Sequence, residues 1–563
     1  MIDRIGAALS RPRIAVLAIV ALSIVLLGPA LVDPKAMTGD SFIAYRWQGH
    51  FADAFWGGDL YPRWLPDLNY GLGSPVFFIY PPLSQWLAAV FDPIWSGPAE
   101  SGHRMVFVLL LARIAGGVGT LRWLKAMGVS DKGALIGAGA FLLLPYHAFC
   151  NTYQRAACAE LVGMAIIPWG LWLGHLLKDR HALSMPGFAV VVAALLFTHA
   201  PTALFGVPFM ALYAVVIAGG GIRIWAVTTM ASLLGAGLAA TYLGPALTQI
   251  SLINQDHLFA SRYVATNYLF FATAPWPDKG IEIALMAIFA IHLALFVFLA
   301  RAIRGREQGD MRARLFLLLT MPALFLLMSE PTRPLWNAHF PWAKIQFAWR
   351  MMSLQTVALA GLAGLAWDVI DRQAEAVRWR RALAWLLPLL FLCDLGMSGG
   401  RWWRLAHKPP WQHPDMLAYD REVNEYWLVD IQFARQFGPA RVKPLSGKAA
   451  VTTPVWRTRA VTLDVVASGP ARLAVRQWVY SGWIMRIDGG AWRPTEQMPA
   501  PYNLVVASVP AGHHRVEFVM PALPAERIGI AISWASTGLL LALLIAGRFR
   551  HARALVRGGG GSI

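Results

Sequence analysis

The chain has 563 residues, of which 57% are hydrophobic and only 14% are charged. A soluble domain usually carries about 25% charged residues, so this composition excludes an ordinary soluble protein. Many apolar runs approach or exceed the roughly 18 residues that suggest a membrane span. The net charge of +18 does not indicate a nucleic-acid-binding protein, because the basic residues cluster in short loops between apolar runs. We therefore predict an α-helical polytopic membrane protein.

The first apolar run, about 14–31, follows three arginines and is expected to be a retained membrane helix. The next stretch, Val76–Trp95, contains three prolines and suits an interfacial helix better than a span. If this stretch does not cross, every strongly basic short loop falls on the side of the N-terminus, as the positive-inside rule requires. We therefore predict twelve spans with both termini in the cytoplasm. The later spans are expected at about 103–124, 131–149, 160–177, 184–199, 202–218, 222–247, 281–300, 313–329, 346–367, 381–398 and 529–547.

A change of hydrophobic period predicts a second domain before the last span. The segments VTLDVVA, ARLAVRQW, YNLVVASV and HRVEFVM alternate apolar and polar residues and are separated by turns rich in glycine and proline. This pattern predicts a small extracytoplasmic β-sandwich. The expected division is a transmembrane domain (1–398) whose outer loop 33–102 bears interfacial helices, a periplasmic β-rich domain (399–528), a last helix with a basic tail (529–557), and a linker (558–563).

The loop after the first span holds the first candidate for chemistry. Asp40 lies just beyond that span, where its carboxylate is able to act as a general base on an acceptor hydroxyl or to bind a metal. The alternative is a helix N-cap, because Thr38-Gly-Asp-Ser suits a helix that begins at Ser41. Spacing alone favours the cap.

Three further candidates follow in the same loop. Arg46 and Arg63 offer planar forks suited to phosphate, and Trp64 offers a face for a sugar or a lipid. The alternative is interfacial anchoring, because arginine and tryptophan are common at headgroup depth. Anchoring is favoured for Trp64, and neither interpretation is favoured for the two arginines.

Two later outer segments add ionisable side chains. Arg155 and Glu160 lie in one tight turn, where they either pair with each other or hold an anionic headgroup. His199 ends a span, and a histidine there is more often a cap or a structural residue. Lys344, Gln346 and Arg350 stand at the start of a later span, where cations either meet a lipid phosphate or snorkel to the interface.

No nucleotide-binding, dinucleotide-binding, zinc-binding or nucleophile-elbow motif occurs in the sequence. The sequence therefore predicts neither a nucleotide nor a nucleic acid as partner.

Several fragments together resemble a known family. YPRWLPDLNYGLGSPVFFIYPPL, NTYQRAACAE, the Thr198-His199 span end and AKIQFAWRM are similar to bacterial membrane proteins labelled "6-pyruvoyl-tetrahydropterin synthase-related". Those proteins share the plan of the GT-C glycosyltransferases. YSGWIMRIDGGAWRP and VPAGHHRVEFVM resemble the β-domain near the C-terminus of related large membrane glycosyltransferases.

The resemblance implies an enzyme that transfers a sugar from a polyprenyl phosphate, usually undecaprenyl phosphate in bacteria, on the outer face of the inner membrane. The acceptor is a cell-envelope glycan, lipid or protein. In this family the first outer loop carries an acidic catalytic residue and a Pro-Pro-Leu segment, which Asp40 and Pro81-Pro82-Leu83 match. Tyr80, next to that segment, joins the substrate-binding candidates. The acidic-plus-His pattern of many relatives is missing after Asp40, so a metal is possible but not indicated and any cofactor is unknown.

Two functions of other classes remain open at this point. A lipid-linked sugar transporter or flippase places ionisable groups at the membrane midplane, whereas here only His292 looks deeply intramembrane. A non-catalytic scaffold with a glycan-binding β-domain is the third possibility. The sequence identifies neither the sugar nor the acceptor.

Overall fold

A computed structural model describes residues 12–179, 184–253, 263–304, 310–337, 345–371, 377–406, 440–480, 482–499 and 502–558. A helical membrane part is followed by a β-domain and a final long helix, as predicted. Single helical turns occur at Leu68–Gly71 and Arg333–Asn337, and a π-helix at Tyr146–Gln154. In chain order the other helices are α1 (Pro12–Val32), α2 (Ser41–Trp56), α3 (Val76–Ile79), α4 (Leu83–Ala89), α5 (Ser101–Ala126), α6 (Asp131–Leu143), α7 (Cys158–Leu177), α8 (Ser184–Thr198), α9 (Ala200–Ile217), α10 (Ile222–Leu238), α11 (Ala240–Gln249), α12 (Lys279–Ile303), α13 (Met311–Leu327), α14 (Met352–Asp371), α15 (Val377–Ala406) and α16 (Pro524–Gly558).

Side-chain caps mark where several membrane helices begin. Ser130 accepts a hydrogen bond from Gly133 N at the start of α6. Asp278 caps α12 and Asp310 caps α13, each accepting from two backbone N–H groups of the first turn. These caps satisfy backbone donors that would otherwise lack partners at a helix start.

Each of the twelve predicted spans coincides with a helix or a helix pair. Among the described residues, eight helices are long and apolar enough to cross a membrane, and a ninth qualifies if α10 and α11, bent by 74°, form one span. Helices α8, with 15 residues, and α13, with 17, are shorter than a full span. The count of twelve and the orientation in the membrane stay predictions.

Small residues allow the central helices to pack at short range. A Cβ added to Gly137 of α6 would lie 2.8 Å from the carbonyl oxygen of Ala360 in α14. A Cβ on Gly116 of α5 would lie 3.0 Å from the Cα of Ala165 in α7. Close backbone approach of this kind is how membrane helices gain packing contacts without a hydrophobic driving force. Helix α14 is almost entirely buried and forms the centre of the bundle.

The stretch Val76–Trp95 is not one continuous helix. The backbone leaves helical geometry at Tyr80, and Pro81 and Pro82 separate α3 from α4. Proline cannot donate the backbone hydrogen bond that would continue a helix through this point. The stretch therefore forms two short helices within the first loop (33–100), and their place at the membrane interface stays a prediction.

The β-domain is a two-sheet sandwich, and the four segments that alternate in sequence all form strands. One antiparallel sheet has the order β1-β4-β8-β7 and the other β2-β3-β9-β5-β6. Their apolar faces enclose a core that includes Leu463, Leu473 and Phe518. The strands are β1 (Val442–Ser446), β2 (Ala449–Arg457), β3 (Ala460–Ala467), β4 (Ala471–Trp478), β5 (Ile484–Ile487), β6 (Arg493–Pro494), β7 (Glu496–Gln497), β8 (Leu504–Val509) and β9 (Gly512–Val519).

The first loop is built into the core of the β-domain. Trp64 is fully buried, stacks on Tyr480 at 5.6 Å, and donates from Nε1 to Gln477 Oε1 at 2.7 Å. The amide of Gln477 in turn donates to the carbonyl oxygens of Pro66 and Gly71 at 2.9 and 2.8 Å. Polar and apolar contacts therefore hold the same stretch of loop against the sandwich.

Trp64→Ala is expected to lower the free energy of unfolding by about 3–5 kcal/mol, because it empties a fully buried indole site. Thermal unfolding of the purified protein measures the loss. Trp492→Ala is the control, because Trp492 of the β-domain is 41% exposed and contacts Arg486 at 4.6 Å, so its loss should cost only about 1 kcal/mol. Equal melting temperatures for the two variants would contradict the docking role of Trp64.

Candidate active site

A cavity of about 360 Å³ lies where the first loop meets the helical bundle. Its wall combines the start of α2, the segment around α3 and α4, the turn before α7, the start of α9 and the segment before α14. Seven of the predicted site residues line it: Asp40, Tyr80, Arg155, Glu160, His199, Gln346 and Arg350. Residues from distant parts of the sequence thus meet around one space, which we call the Asp40 cavity.

Asp40 is held in place by backbone pairing with the turn before α7. Asp40 N donates to Arg155 O at 2.7 Å, and Thr38 N donates to Tyr153 O at 3.1 Å. Between them Gly39 has φ +67°, and a Cβ there would lie only 2.4 Å from Arg155 O. Only glycine fits both the left-handed backbone and this close approach. The pairing sets the position of Asp40 relative to Arg155.

The Asp40 side chain is not used as a helix cap. Asp40 occupies the N-cap position of α2, yet its side chain makes no capping hydrogen bond. Asp40 is exposed to the cavity, and the protein atoms around its carboxylate reduce the solvation of the charge. Burial raises its pKa above the ordinary value of 3.8, and the positive charges of Arg155 and Arg350 oppose that rise. The geometry therefore favours a carboxylate that is free to contact a ligand over the helix cap that the sequence spacing suggested.

The turn that carries Arg155 has an unusual backbone. It follows the π-helix Tyr146–Gln154, and Ala156 has φ +49°, which is uncommon for a residue with a side chain. Arg113 of α5 supports this segment from behind, donating to the carbonyl oxygen of Ala148 at 3.2 Å and to Thr152 Oγ1 at 2.7 Å. π-Helical insertions and strained residues of this kind often occur at functional sites.

Glu160 is the centre of a buried hydrogen-bond network. Its Oε1 accepts from Tyr146 at 2.6 Å, from Asn151 at 3.0 Å and from Ser353 at 3.0 Å. Its Oε2 forms an ion pair with Arg155 Nη1 at 3.1 Å. A buried carboxylate is tolerated when its acceptor sites are filled in this way. The structure therefore shows the internal Arg155–Glu160 pair that sequence analysis left open.

Arg350 is less committed than Arg155. Its Nε lies 3.8 Å from Glu160 Oε2 and has no hydrogen-bond partner among the described residues. Its one hydrogen bond there is a long contact of 3.5 Å from Nη2 to Gln346. A mostly buried guanidinium with spare donors is suited to bind an anion.

His199 and a set of aromatic rings complete the wall. His199 caps α9 with Nδ1, which accepts from Thr202 N at 3.3 Å. In the neutral ring this assigns the proton to Nε2. The aromatic wall comprises Trp47, Tyr80, Tyr263, Tyr268, Phe347 and Trp349. The cap predicted for His199 is present, and the histidine also lines the cavity.

Three predicted residues lie away from the cavity, and a fourth is outside the described residues. Arg46 is buried within α2. Arg63 pairs with Glu526 at 3.3 Å and donates to the backbone carbonyl of Thr241 at 2.7 Å, so it joins the first loop to α11 and α16. Trp64 belongs to the core of the β-domain. Lys344 lies outside the described residues.

Sequence analysis missed other residues of the wall, notably Ser84, Gln85 and Trp349. A signal existed for Gln85, because it is a polar residue inside the apolar stretch Val76–Trp95. Trp349 carried no comparable signal, since tryptophan is common at membrane interfaces. Within the described ranges no cluster of three or more His, Cys, Asp or Glu side chains is arranged to hold a metal ion.

Three solved structures are similar to this one. They are the oligosaccharyltransferase of Archaeoglobus fulgidus (11% identity, TM-score 0.47, 74% of this chain and 61% of that one), the arabinofuranosyltransferase AftD from Mycobacteria (20%, 0.42, 69% and 26%) and ArnT from Cupriavidus metallidurans bound to undecaprenyl phosphate (14%, 0.43, 69% and 76%). The match thus spans less than two thirds of the length of the first two proteins.

The GT-C superfamily and the pterin-synthase-related subtype, both suggested by the sequence, stay predictions for this chain. No protein-family model matches the chain, and no curated protein matches it. The activity of this chain is therefore argued below from its own cavity.

Gly39→Ala is expected to displace Asp40 and to destabilise the protein, because the added methyl group meets Arg155 O. Gly58→Ala is a matched control: Gly58 also has a positive φ, +104°, but open space around its Cβ position. Thermal unfolding measures the loss of stability in each variant. The free energy of unfolding should fall further in Gly39→Ala than in Gly58→Ala, by at least about 1 kcal/mol. Equal losses would show that the backbone pairing is not tight.

Proposed function

We propose that the chain is a GT-C-type glycosyltransferase of the bacterial inner membrane. It moves a sugar from a polyprenyl-phosphate donor to a hydroxyl of a cell-envelope glycan, lipid or protein acceptor, with the cavity and the β-domain on the outer face. The single observation that carries the proposal is the shared cavity of Asp40 and Arg350. Both side chains line the same space. The Asp40 carboxylate makes no hydrogen bond among the described residues, and Arg350 Nε has no hydrogen-bond partner there.

Asp40 is the general base in this mechanism. It accepts the proton of the acceptor hydroxyl as that oxygen attacks the anomeric carbon of the donor. Its backbone hydrogen bond to the turn of Arg155 fixes the main chain from which the carboxylate reaches the cavity, and this matters because proton transfer requires hydrogen-bond distance. A single displacement of this kind inverts the configuration at the anomeric carbon.

Arg350 holds the phosphate that departs. The bond between the anomeric carbon and the phosphate oxygen breaks, and the lipid phosphate leaves with its charge, so a fixed cation stabilises the transition state. Arg155 is paired with Glu160. It adds positive charge near the phosphate, and the ion pair stabilises the turn. Lys344, two residues before Gln346 in the chain, is a further candidate cation. ArnT was solved with undecaprenyl phosphate, and we propose the same lipid class here from the cation in the cavity.

Asp40→Asn should reduce transfer about 10²- to 10⁴-fold, the usual contribution of a general base, with the protein still folded. The assay supplies a synthetic polyprenyl-phosphate sugar and measures released lipid phosphate. In the active protein the acid limb of the rate profile should lie above pH 3.8, because Asp40 must be ionised and burial raises its pKa. Asp67→Asn, an exposed carboxylate of the same loop outside the cavity, should keep full activity. Full activity of Asp40→Asn would remove Asp40 as the base.

Arg350→Ala should weaken binding of undecaprenyl phosphate about 10- to 100-fold, the value of a lost charge-assisted hydrogen bond. The affinity of Arg350→Lys should lie between those of the wild-type protein and Arg350→Ala, since lysine keeps the charge but lacks the planar fork. Arg333→Ala is the control, because that arginine is partly exposed and pairs with Glu330 outside the cavity. Binding is measured by titration of the purified protein. Unchanged affinity in Arg350→Ala would show that the phosphate binds elsewhere.

A further inference from the structure

Two buried polar side chains of the Asp40 cavity lack partners among the described residues. Gln85 of α4 is only 2% exposed, yet its amide makes no hydrogen bond to that part of the chain, and Oε1 is fully buried. Trp349 is 1% exposed, and its Nε1 likewise has no acceptor there. The proposed roles of Asp40 and Arg350 use neither group.

Both side chains are held by their surroundings. The ring of Trp349 stacks on Phe347 at 4.3 Å and on Trp276 at 5.3 Å, which restricts its rotation. Gln85 lies in the first turn of α4, whose backbone is fixed by a bond from Gln85 N to Pro82 O at 3.0 Å. Unpartnered polar atoms are unfavourable in a buried site, so they favour a ligand that supplies the missing hydrogen bonds.

The chemistry of that ligand follows from the two groups. An amide offers both an acceptor oxygen and N–H donors, and an indole N–H needs an acceptor. Sugar hydroxyls donate and accept at the same oxygen, so neighbouring hydroxyls of one ring satisfy both side chains. The aromatic wall adds apolar faces against which a sugar ring packs.

We infer that Gln85 and Trp349 bind hydroxyl groups of the transferred sugar. The inference deepens the proposed function and rests on it. It makes Gln85 and Trp349 specificity-determining residues, because a site built to hydrogen-bond a hydroxyl discriminates against ligands that lack it.

The test measures binding to the purified full chain without turnover. The probes are undecaprenyl phosphate alone and its conjugates with glucose, galactose, N-acetylglucosamine, arabinofuranose and glucuronic acid. At least one of these sugar conjugates should bind more tightly than undecaprenyl phosphate. A wild-type protein that prefers no sugar conjugate to undecaprenyl phosphate overturns the inference.

Two variants then assign the preference to these side chains. Gln85→Leu and Trp349→Phe should each reduce the preference for the best-bound sugar conjugate over undecaprenyl phosphate about tenfold. Their affinity for undecaprenyl phosphate itself should stay unchanged, which also shows that both variants are folded. Trp349→Phe keeps an aromatic ring in the stack and removes only the N–H and the second ring.

Gln249→Leu is the matched control, because Gln249 Oε1 is also buried without a described partner but lies outside the cavity. This variant should keep the full preference. The inference is overturned, while the proposed function stands, in either of two cases. In the first, Gln85→Leu and Trp349→Phe also keep the preference; in the second, their affinity for undecaprenyl phosphate falls as much as their affinity for the sugar conjugates. Failure of the wild-type protein to bind any of these lipids would overturn both.

Discussion

The candidate site depends on one contact between backbones, the pairing of residues 38–40 with residues 153–155. Two hydrogen bonds, from Thr38 N to Tyr153 O and from Asp40 N to Arg155 O, join the first loop to the turn before α7. The approach is so close that only a residue without Cβ fits at position 39. This contact places Asp40 beside the turn that carries Arg155 and Glu160, at the wall of the cavity that Arg350 also lines.

Electrostatics around Glu160 determine which of the two arginines is available. Four side chains satisfy the buried carboxylate, and Arg155 supplies the charge that makes its burial tolerable. Arg350 approaches the same carboxylate only to 3.8 Å, so its donors remain under-used. The network thus holds the turn in place and leaves Arg350 Nε without a hydrogen-bond partner among the described residues.

Local patterns predicted most of the fold because they report directly on burial. Apolar runs predicted the helices, Pro81 and Pro82 predicted the break between α3 and α4, and alternation predicted four strands. The site was predictable in part. Asp40 and Arg350 were named from their place next to spans, and Arg63 from its place in the aromatic first loop, yet Arg63 joins that loop to α11 and α16. Residue type alone could not separate Arg63 from Arg350, because a guanidinium suited to a phosphate is equally suited to an internal ion pair.

By itself, the sequence determined that this is a multi-span helical membrane protein with a β-domain, because hydrophobic period and charge placement depend only on neighbours along the chain. The tertiary structure alone decided that Asp40 is no cap, that Arg155 is neutralised by Glu160, and that Gln85 lines the cavity without a described partner. The physical reason is that these properties depend on which atoms, distant in sequence, come within hydrogen-bond distance after the helices pack.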